Sequence, residues 1–394
     1  MTPAAYPITY QRETSPSWLN YAAVLNGAAS RDLARPFRFL ELGCGRGYSA
    51  LLHAAAHPAG EFVAVDRDAA AIAQARGWAA SCGVRNVRFV AAGFDAAGLK
   101  DLPRFDFVVL HGVYSWVSAP TRAVLCALLR DSLLPGGLAY VSYNCLPGRA
   151  GELPLRRLLQ EFGGGDGARE IERWRALGFG YFKTHPAAAL AVKSWAAQPQ
   201  GYLAQEYLAE ACEALWSVDV ADEMAQAGLR WIASATLRDR HDALLVDDAT
   251  ARAIAGLATP RLRTLALDLA VNRAFRRDVF VRGDAGQDGG GAALGDLMIA
   301  AAGEPIPDSI VMPRGRIRFQ PDFAAALRRV MADGPIRLGD AIRALGGGAR
   351  NLLWLIAAGA LAPAVPDAAA ARATQEALER QGVGLTAADL RPLV

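Results

Sequence analysis

Apolar and polar positions change period repeatedly along this chain, and the first change is the sharpest. Phe37 to Leu42 is apolar except at Arg38 and Glu41, as a buried strand would be, and Gly43, Gly45 and Gly47 then interrupt it before Tyr48 to Ala56 resumes at a helical period. Strands are predicted at 37–42 and near 61–66, 87–91, 106–111 and 137–143, with helices near 47–56, 68–82 and 120–131. This alternation implies an α/β fold: a Rossmann-like, mostly parallel sheet with right-handed crossovers and its ligands at the C-terminal ends of the strands.

After about residue 149 the pattern turns helical. Residues 152–162, 168–178 and 186–197 repeat near 3.6, broken by the flexible stretch Gly163 to Gly167, and suggest a helical insertion over about 149–217. A helix from Val218 to Ala227, capped at Gly228, then leads to strands at Leu229–Leu237 and Phe275–Arg282, an antiparallel pair suited to closing the sheet domain at 37–285. Gly283 to Gly291 is a polar, glycine-rich linker. Across 292–394, three short helices (Phe323–Met331, Arg337–Leu345, Arg350–Ala358) and a terminal strand at Gly359–Pro363 suggest a winged-helix-like module. Its third helix is apolar from Leu352 to Ile356, where a base reader needs polar side chains, so packing or protein contact is expected there. The arm at 1–36 carries Tyr6, Tyr10, Trp18 and Tyr21 with a helix start at Ser15-Pro16-Ser17; packing on the domain and covering the ligand both fit it.

The glycine loop narrows the choice of ligand. Without Cβ atoms at 43, 45 and 47, a ligand can approach the backbone and the helix N-terminus beyond it. A dinucleotide site wants G-x-G-x-x-G, whereas here the spacing is G-x-G-x-G, Tyr48 stands where the third glycine would fall, and Glu41 precedes the loop. A carboxylate there repels a pyrophosphate and favours a ligand carrying an ammonium and a sulfonium. S-adenosylmethionine fits, with Asp66 at the end of the second strand as acceptor for both ribose hydroxyls and Arg67 beside it; an NAD site or an empty α/β turn are the alternatives.

Composition changes this picture little. The chain has 394 residues, 53% of them hydrophobic, and no apolar run approaches the roughly 18 residues of a membrane span. Met1 to Tyr10 has no secretory pattern, so a cytoplasmic protein is expected. Five scattered cysteines form no C-x-x-C pair, which argues against a disulfide framework and a zinc site, and a net charge of +3 gives no reason to expect nucleic acid. The oligomeric state is not legible.

Two strings carry a family likeness. Phe105 to Val117 reads FDFVVLHGVYSWV and Tyr140 to Gly148 reads YVSYNCLPG. Here the chain resembles class I S-adenosylmethionine-dependent methyltransferases bearing a methyltransferase regulatory domain, a family that includes rickettsial protein-lysine methyltransferases acting on outer-membrane proteins. Weaker likeness continues at Tyr202–Tyr207, Ala227–Trp231 and Asn272–Phe280, with Gln205-Glu206-Tyr207 where the family usually has H-E-Y. The family commonly places an acidic adenine acceptor where Gly93 stands; Asp95, two residues on, takes that role or serves as a turn residue, and Phe94 packs on the adenine.

For the acceptor side, His111, Tyr114, Trp116, Tyr143 and Asn144 follow the fourth and fifth strands and are candidates to line a channel, with His111 also facing the cofactor and Glu206 and Tyr207 closing it from above. Ordinary packing is the competing reading for Trp116 and Tyr143, and a satisfied polar group the competing reading for His111. The resemblance favours a protein lysine as methyl acceptor; a small-molecule acceptor, a cofactor-binding regulator without catalysis and an NAD-dependent oxidoreductase are the rivals.

Overall fold

The computed structural model describes residues 8–163, 167–196, 211–283, 291–302 and 306–383. Gln205 to Tyr207 and residues 284–290 of the glycine-rich linker lie outside them.

Seven strands form the central sheet: β1 (Phe37–Leu42), β2 (Gly60–Asp66), β3 (Val87–Ala91), β4 (Phe105–Leu110), β5 (Leu133–Asn144), β6 (Leu229–Ser234) and β7 (Phe275–Arg282). Their order is β3-β2-β1-β4-β5-β7-β6. The first five are parallel; β7 lies antiparallel between β5 and β6, so the last two strands close the sheet. The order reverses at β1, leaving a crevice at the strand ends between β1 and β4.

Alternation along the strands divides the core. Phe37, Phe39, Phe107, Val109, Leu138 and Tyr140 face one side, where helix α1 (Pro16–Leu25) packs. Leu40, Leu42, Val108, Leu110, Ala139, Val141 and Tyr143 face the other, toward Leu125 and Leu129 of α4 (Ala119–Ser132). On the first side also lies α2 (Tyr48–Ala56), and α3 (Ala69–Cys82) begins at a full N-cap, the Asp68 carboxylate accepting from the Ala70 and Ala71 amides.

The N-terminal arm is anchored to α2. Thr14 Oγ1 lies 2.8 Å from His53 Nε2 and Ser17 Oγ 2.9 Å from His57 Nε2, while Trp18 Nε1 donates to the Ala235 carbonyl at 2.7 Å. Beyond β5, helices α5 (Leu153–Glu161), α6 (Gly167–Ala176), α7 (Gly180–Thr184) and α8 (Pro186–Ala196) enclose a small core of their own around Leu155, Leu159, Ile171 and Val192.

The C-terminal segment shares the core of the sheet's α1 side. Strands β8 (Met298–Ala301), β11 (Ile336–Arg337) and β12 (Leu361–Pro363) form a three-stranded antiparallel sheet, with a hairpin of β9 (Ser309–Met312) and β10 (Gly315–Arg318) beside it. Helices Pro321–Val330, Leu338–Ala344 and Ala349–Ala357 pack with them, and Ile299, Leu352, Leu355 and Leu361 join Trp18, Leu19 and Phe39 in one apolar cluster. The last described helix, Ala368–Arg380, lies on α2 and α3: Ala371 and Leu378 cluster with Leu51 and Trp78, and the Asp367 amide donates to the Ala56 carbonyl at 2.9 Å.

Candidate functional site

The loop after β1 is shaped by its glycines. Gly43, Gly45 and Gly47 have φ values of 80°, 53° and 69°, in the left-handed region. A Cβ on Gly43 would stand 2.4 Å from Val113 Cγ2, and one on Gly47 2.4 Å from Phe89 Cε1, so neighbouring strand ends close on the loop. Its start is tied to β2, the Gly43 and Cys44 amides both donating to the Val65 carbonyl at 2.8 and 3.0 Å.

Asp66 completes that anchorage. Its Oδ2 accepts from the Gly45 amide at 2.8 Å and its Oδ1 from the Asp68 amide at 2.9 Å, which leaves each oxygen a further lone pair for a hydroxyl. Glu41, one strand away, is different. It is buried, its Oε2 has no hydrogen-bond partner, and burial, followed by the charge of Asp66, pushes its carboxyl up to about 8. An unpartnered carboxylate oxygen at a strand end beside a glycine loop is a vacancy for a cationic donor. S-adenosylmethionine fits this set: an ammonium for Glu41, a ribose diol for Asp66 and a loop without side chains between them.

Phe94 is half-buried and reaches to 3.8 Å of the Cβ position of Gly43, on the rim of the same loop, whereas Arg67 and Asp95 are exposed. Asp95 Oδ1 turns back to within 2.9 Å of the Cβ position of Gly93.

The five acceptor-side candidates separate. His111 is half-buried at the end of β4, its Nδ1 2.9 Å from the Tyr140 hydroxyl and its ring stacked on Tyr140 at 5.9 Å. Burial, followed by the charge of Arg277, holds the imidazole down at about 4, so it is neutral near pH 7. Tyr114 is fully buried on the opposite face, its hydroxyl donating to Glu223 and lying 3.4 Å from Cys126 Sγ. Tyr143 is also buried there, donating to Asp278, which in turn accepts from Arg276 and from Trp231 Nε1. The hydroxyls of both tyrosines are thus engaged inside the protein. Trp116 is half-buried in the short turn that follows β4.

Asn144 is placed otherwise. Its amide donates to Ser115 Oγ at 2.8 Å, and the residue lines a small cavity with Arg149, Glu152, Leu153, Arg156, Cys212 and Ala214. The S-Y-N-x-x-P-G turn has a local cause: the Cys145 and Gly148 amides bond the Ala274 and Arg273 carbonyls at 2.9 and 2.8 Å, and a Cβ on Gly148 would lie 2.5 Å from the Asn272 carbonyl oxygen. Tyr140, Ser142 and Arg277 were not singled out from the sequence. The period-two alternation of β5 was the available signal, since it sets Tyr140 and Ser142 on the face opposite Tyr143.

Comparison with known proteins agrees with this fold. A family model described as a methyltransferase domain matches residues 39–137, and one described as a predicted methyltransferase regulatory domain matches 199–282, which takes in β6 and β7. An uncharacterized protein of Synechocystis sp. is 33% identical over 350 residues, covering 85% of this chain and 69% of that protein. An uncharacterized protein of Rickettsia prowazekii is 31% identical over 157 residues, 39% of this chain and 60% of its own length. Among solved structures, PKMT2 from Rickettsia typhi superposes with a TM-score of 0.70 at 21% identity, covering 91% of this chain and 76% of PKMT2. The same protein in complex with AdoHcy gives 0.69 at 20% identity, with coverages of 91% and 77%.

Proposed function

We propose that this chain, which belongs to the class I S-adenosylmethionine-dependent methyltransferases that carry a regulatory domain, methylates a protein lysine side chain. The observation that carries the cofactor half of this reading is the buried, unpartnered Oε2 of Glu41 next to the Asp66-anchored glycine loop. AdoHcy in the structure of PKMT2, which shares the fold, supports it.

The cofactor supplies a methyl group on a sulfonium sulfur. The protein's part is to align a neutral nitrogen behind that methyl carbon and exclude water. A lysine amine, with an ordinary pKa near 10.4, has to lose its proton first, and removal from water favours that loss. The acceptor's path on this reading is the cavity at Asn144, where Leu153, Cys212 and Ala214 pack along the methylene stem and the Asn144 side-chain carbonyl accepts from the amine. Glu152, paired with Arg149 at 2.7 Å, forms the cavity's polar wall. Trp116 and His111 lie just beyond the C-terminal end of β4.

The test is incubation of the purified protein with isotopically methyl-labelled S-adenosylmethionine and a lysate of cells lacking it, followed by peptide mass spectrometry. Label on lysine Nζ atoms, reduced many-fold by Asn144→Ala at unchanged AdoHcy affinity, is expected. Label confined to other side chains or to small molecules overturns the lysine assignment and leaves the cofactor assignment standing.

A further inference from the structure

Resting on the S-adenosylmethionine reading, we propose that His111 holds the carboxylate of the cofactor's methionine tail through Nε2–H, opposite Glu41 at the ammonium, with Tyr140 as the positioning residue that fixes this tautomer.

The sheet register places the two ends of the clamp. β1 and β4 are parallel neighbours with Glu41 beside Val109, and Val109 lies on the same face as Phe39 and Phe107. His111 follows Val109 by two residues and continues that face one step beyond Glu41. Strands about 4.8 Å apart, offset by two residues of about 3.3 Å, put the Glu41 and His111 Cα atoms roughly 8 Å apart. An α-amino acid with a hydrogen bond of about 2.9 Å at each end has a comparable reach.

Hydrogen-bond direction fixes what each end presents. The Tyr140 phenol oxygen lies 2.9 Å from His111 Nδ1, and a phenol proton directed at that nitrogen makes Nδ1 the acceptor. Ser142 Oγ takes the Gly112 amide at 2.9 Å and stands farther from Nδ1, at 3.4 Å. With Nδ1 accepting, the proton of the neutral ring sits on Nε2. Tyr140 stacked at 5.9 Å and Phe275 edge-on at 6.2 Å hold the ring plane.

The charged groups acting on the ring are Arg277, which opposes its protonation, and Glu13 of the N-terminal arm, which favours it. The ring is therefore a neutral donor in the field of a guanidinium, suited to an anion. In this tautomer it cannot accept from an amine, so it is neither the base nor the partner of a lysine nitrogen. The carboxylate of the methionine tail is the anion that Glu41's ammonium brings within reach.

The experiment compares two ligands that differ in that group alone. Calorimetry measures S-adenosylmethionine and decarboxylated S-adenosylmethionine, which keeps the sulfonium and ammonium, against the parent protein, His111→Ala, His111→Gln and Tyr140→Phe. His111→Ala should weaken S-adenosylmethionine about ten-fold or more and leave the decarboxylated ligand within two-fold. His111→Gln, which keeps a donor, should restore part of the difference, and Tyr140→Phe should show the same selectivity in smaller measure. In turnover, the His111→Ala change should fall on the KM for S-adenosylmethionine while kcat at saturation holds. Equal losses for both ligands, or no loss for either, in variants with the parent's melting temperature overturn the clamp. A parent protein that binds neither ligand overturns the cofactor reading beneath it.

Discussion

Asp66 Oδ2 accepts a 2.8 Å hydrogen bond from the Gly45 amide, so the residue that closes β2 also holds the loop that follows β1. A single carboxylate therefore sets the backbone of the glycine loop and keeps lone pairs open for a further donor. On the proposed cofactor reading, binding and loop order depend on the same group.

Asp66→Ala should reduce AdoHcy affinity by about 1.5–3 kcal/mol, the worth of hydrogen bonds to a charged group. Amide exchange at Gly45 and Asp68 should accelerate even without ligand, because both amides lose their acceptor. Calorimetry reads the first effect and hydrogen exchange the second. Unchanged affinity with faster exchange would leave Asp66 a loop anchor alone.

Glu41 should give the fold a distinctive pH dependence. Its folded carboxyl titrates at about 8, raised from 4.5 first by burial and then by Asp66. Between those values the folded state holds more protons than the unfolded chain, so stability falls as pH rises through the window. Glu41→Gln should remove that fall, melting higher than the parent at about pH 8 by on the order of 1–3 kcal/mol. Ligand binding runs the other way: an ammonium beside Glu41 expels its proton, so parent AdoHcy affinity should improve from about pH 6 to about pH 7.5 with proton release, and the variant should show neither.

Gly47→Ala should destabilise the protein by about 2–4 kcal/mol, since a Cβ there combines left-handed strain with overpacking against Phe89. Gly77→Ala, inside α3 with open space around it, should stabilise by up to about 1 kcal/mol. Thermal melts of the pair compare two glycines that differ only in setting. A mild cost at Gly47 would mean that the loop re-forms without its left-handed turn.

Tyr143→Phe should lower stability by about 1.5–3 kcal/mol and leave turnover per folded molecule near that of the parent, because its hydroxyl is engaged by Asp278 inside the core. Asp278→Asn should cost more, about 3–5 kcal/mol, since Arg276 loses a charged partner where no water replaces it. Denaturant melts and steady-state assays separate the two effects. A large loss of turnover in a stable Tyr143→Phe protein would return Tyr143 to the acceptor channel.

Truncation after residue 285 should give an insoluble product. Ile299, Leu352 and Leu361 share one apolar cluster with Trp18 and Phe39, and removing them uncovers that side of the sheet domain. Soluble expression and AdoHcy binding by the shortened chain would contradict the shared core.

The sheet was legible because its strands differ so clearly from its helices. Phe275 to Arg282 is a strand at the predicted bounds, and the helices expected near 168–178 and 186–197 appear as Gly167–Ala176 and Pro186–Ala196. The hairpin of β9 and β10 was not foreseen, since strands of four residues are too short for a period to declare itself. At the site, Glu41, the glycines and Asp66 stand out because their residue types are costly in a strand end or turn unless a ligand or loop requires them. Tyr114 and Tyr143 were open to two readings because an aromatic ring after a strand looks alike in a channel and in a core. Only the face it turns to, and the partner of its hydroxyl, tell the two apart.

Ser81 and Gln381 exchange side-chain hydrogen bonds across 300 residues of chain, beside the helix that Asp367 fastens to the end of α2. The glycine loop and the helix behind it are made well before the outer face of that helix, which a segment some 300 residues later completes. Contacts of such sequence separation form slowly, because a long loop must close before they stabilise anything. A nascent chain therefore holds a finished glycine loop on an unfinished support, and cofactor affinity should mature as a late event in folding, trailing the appearance of the parallel sheet.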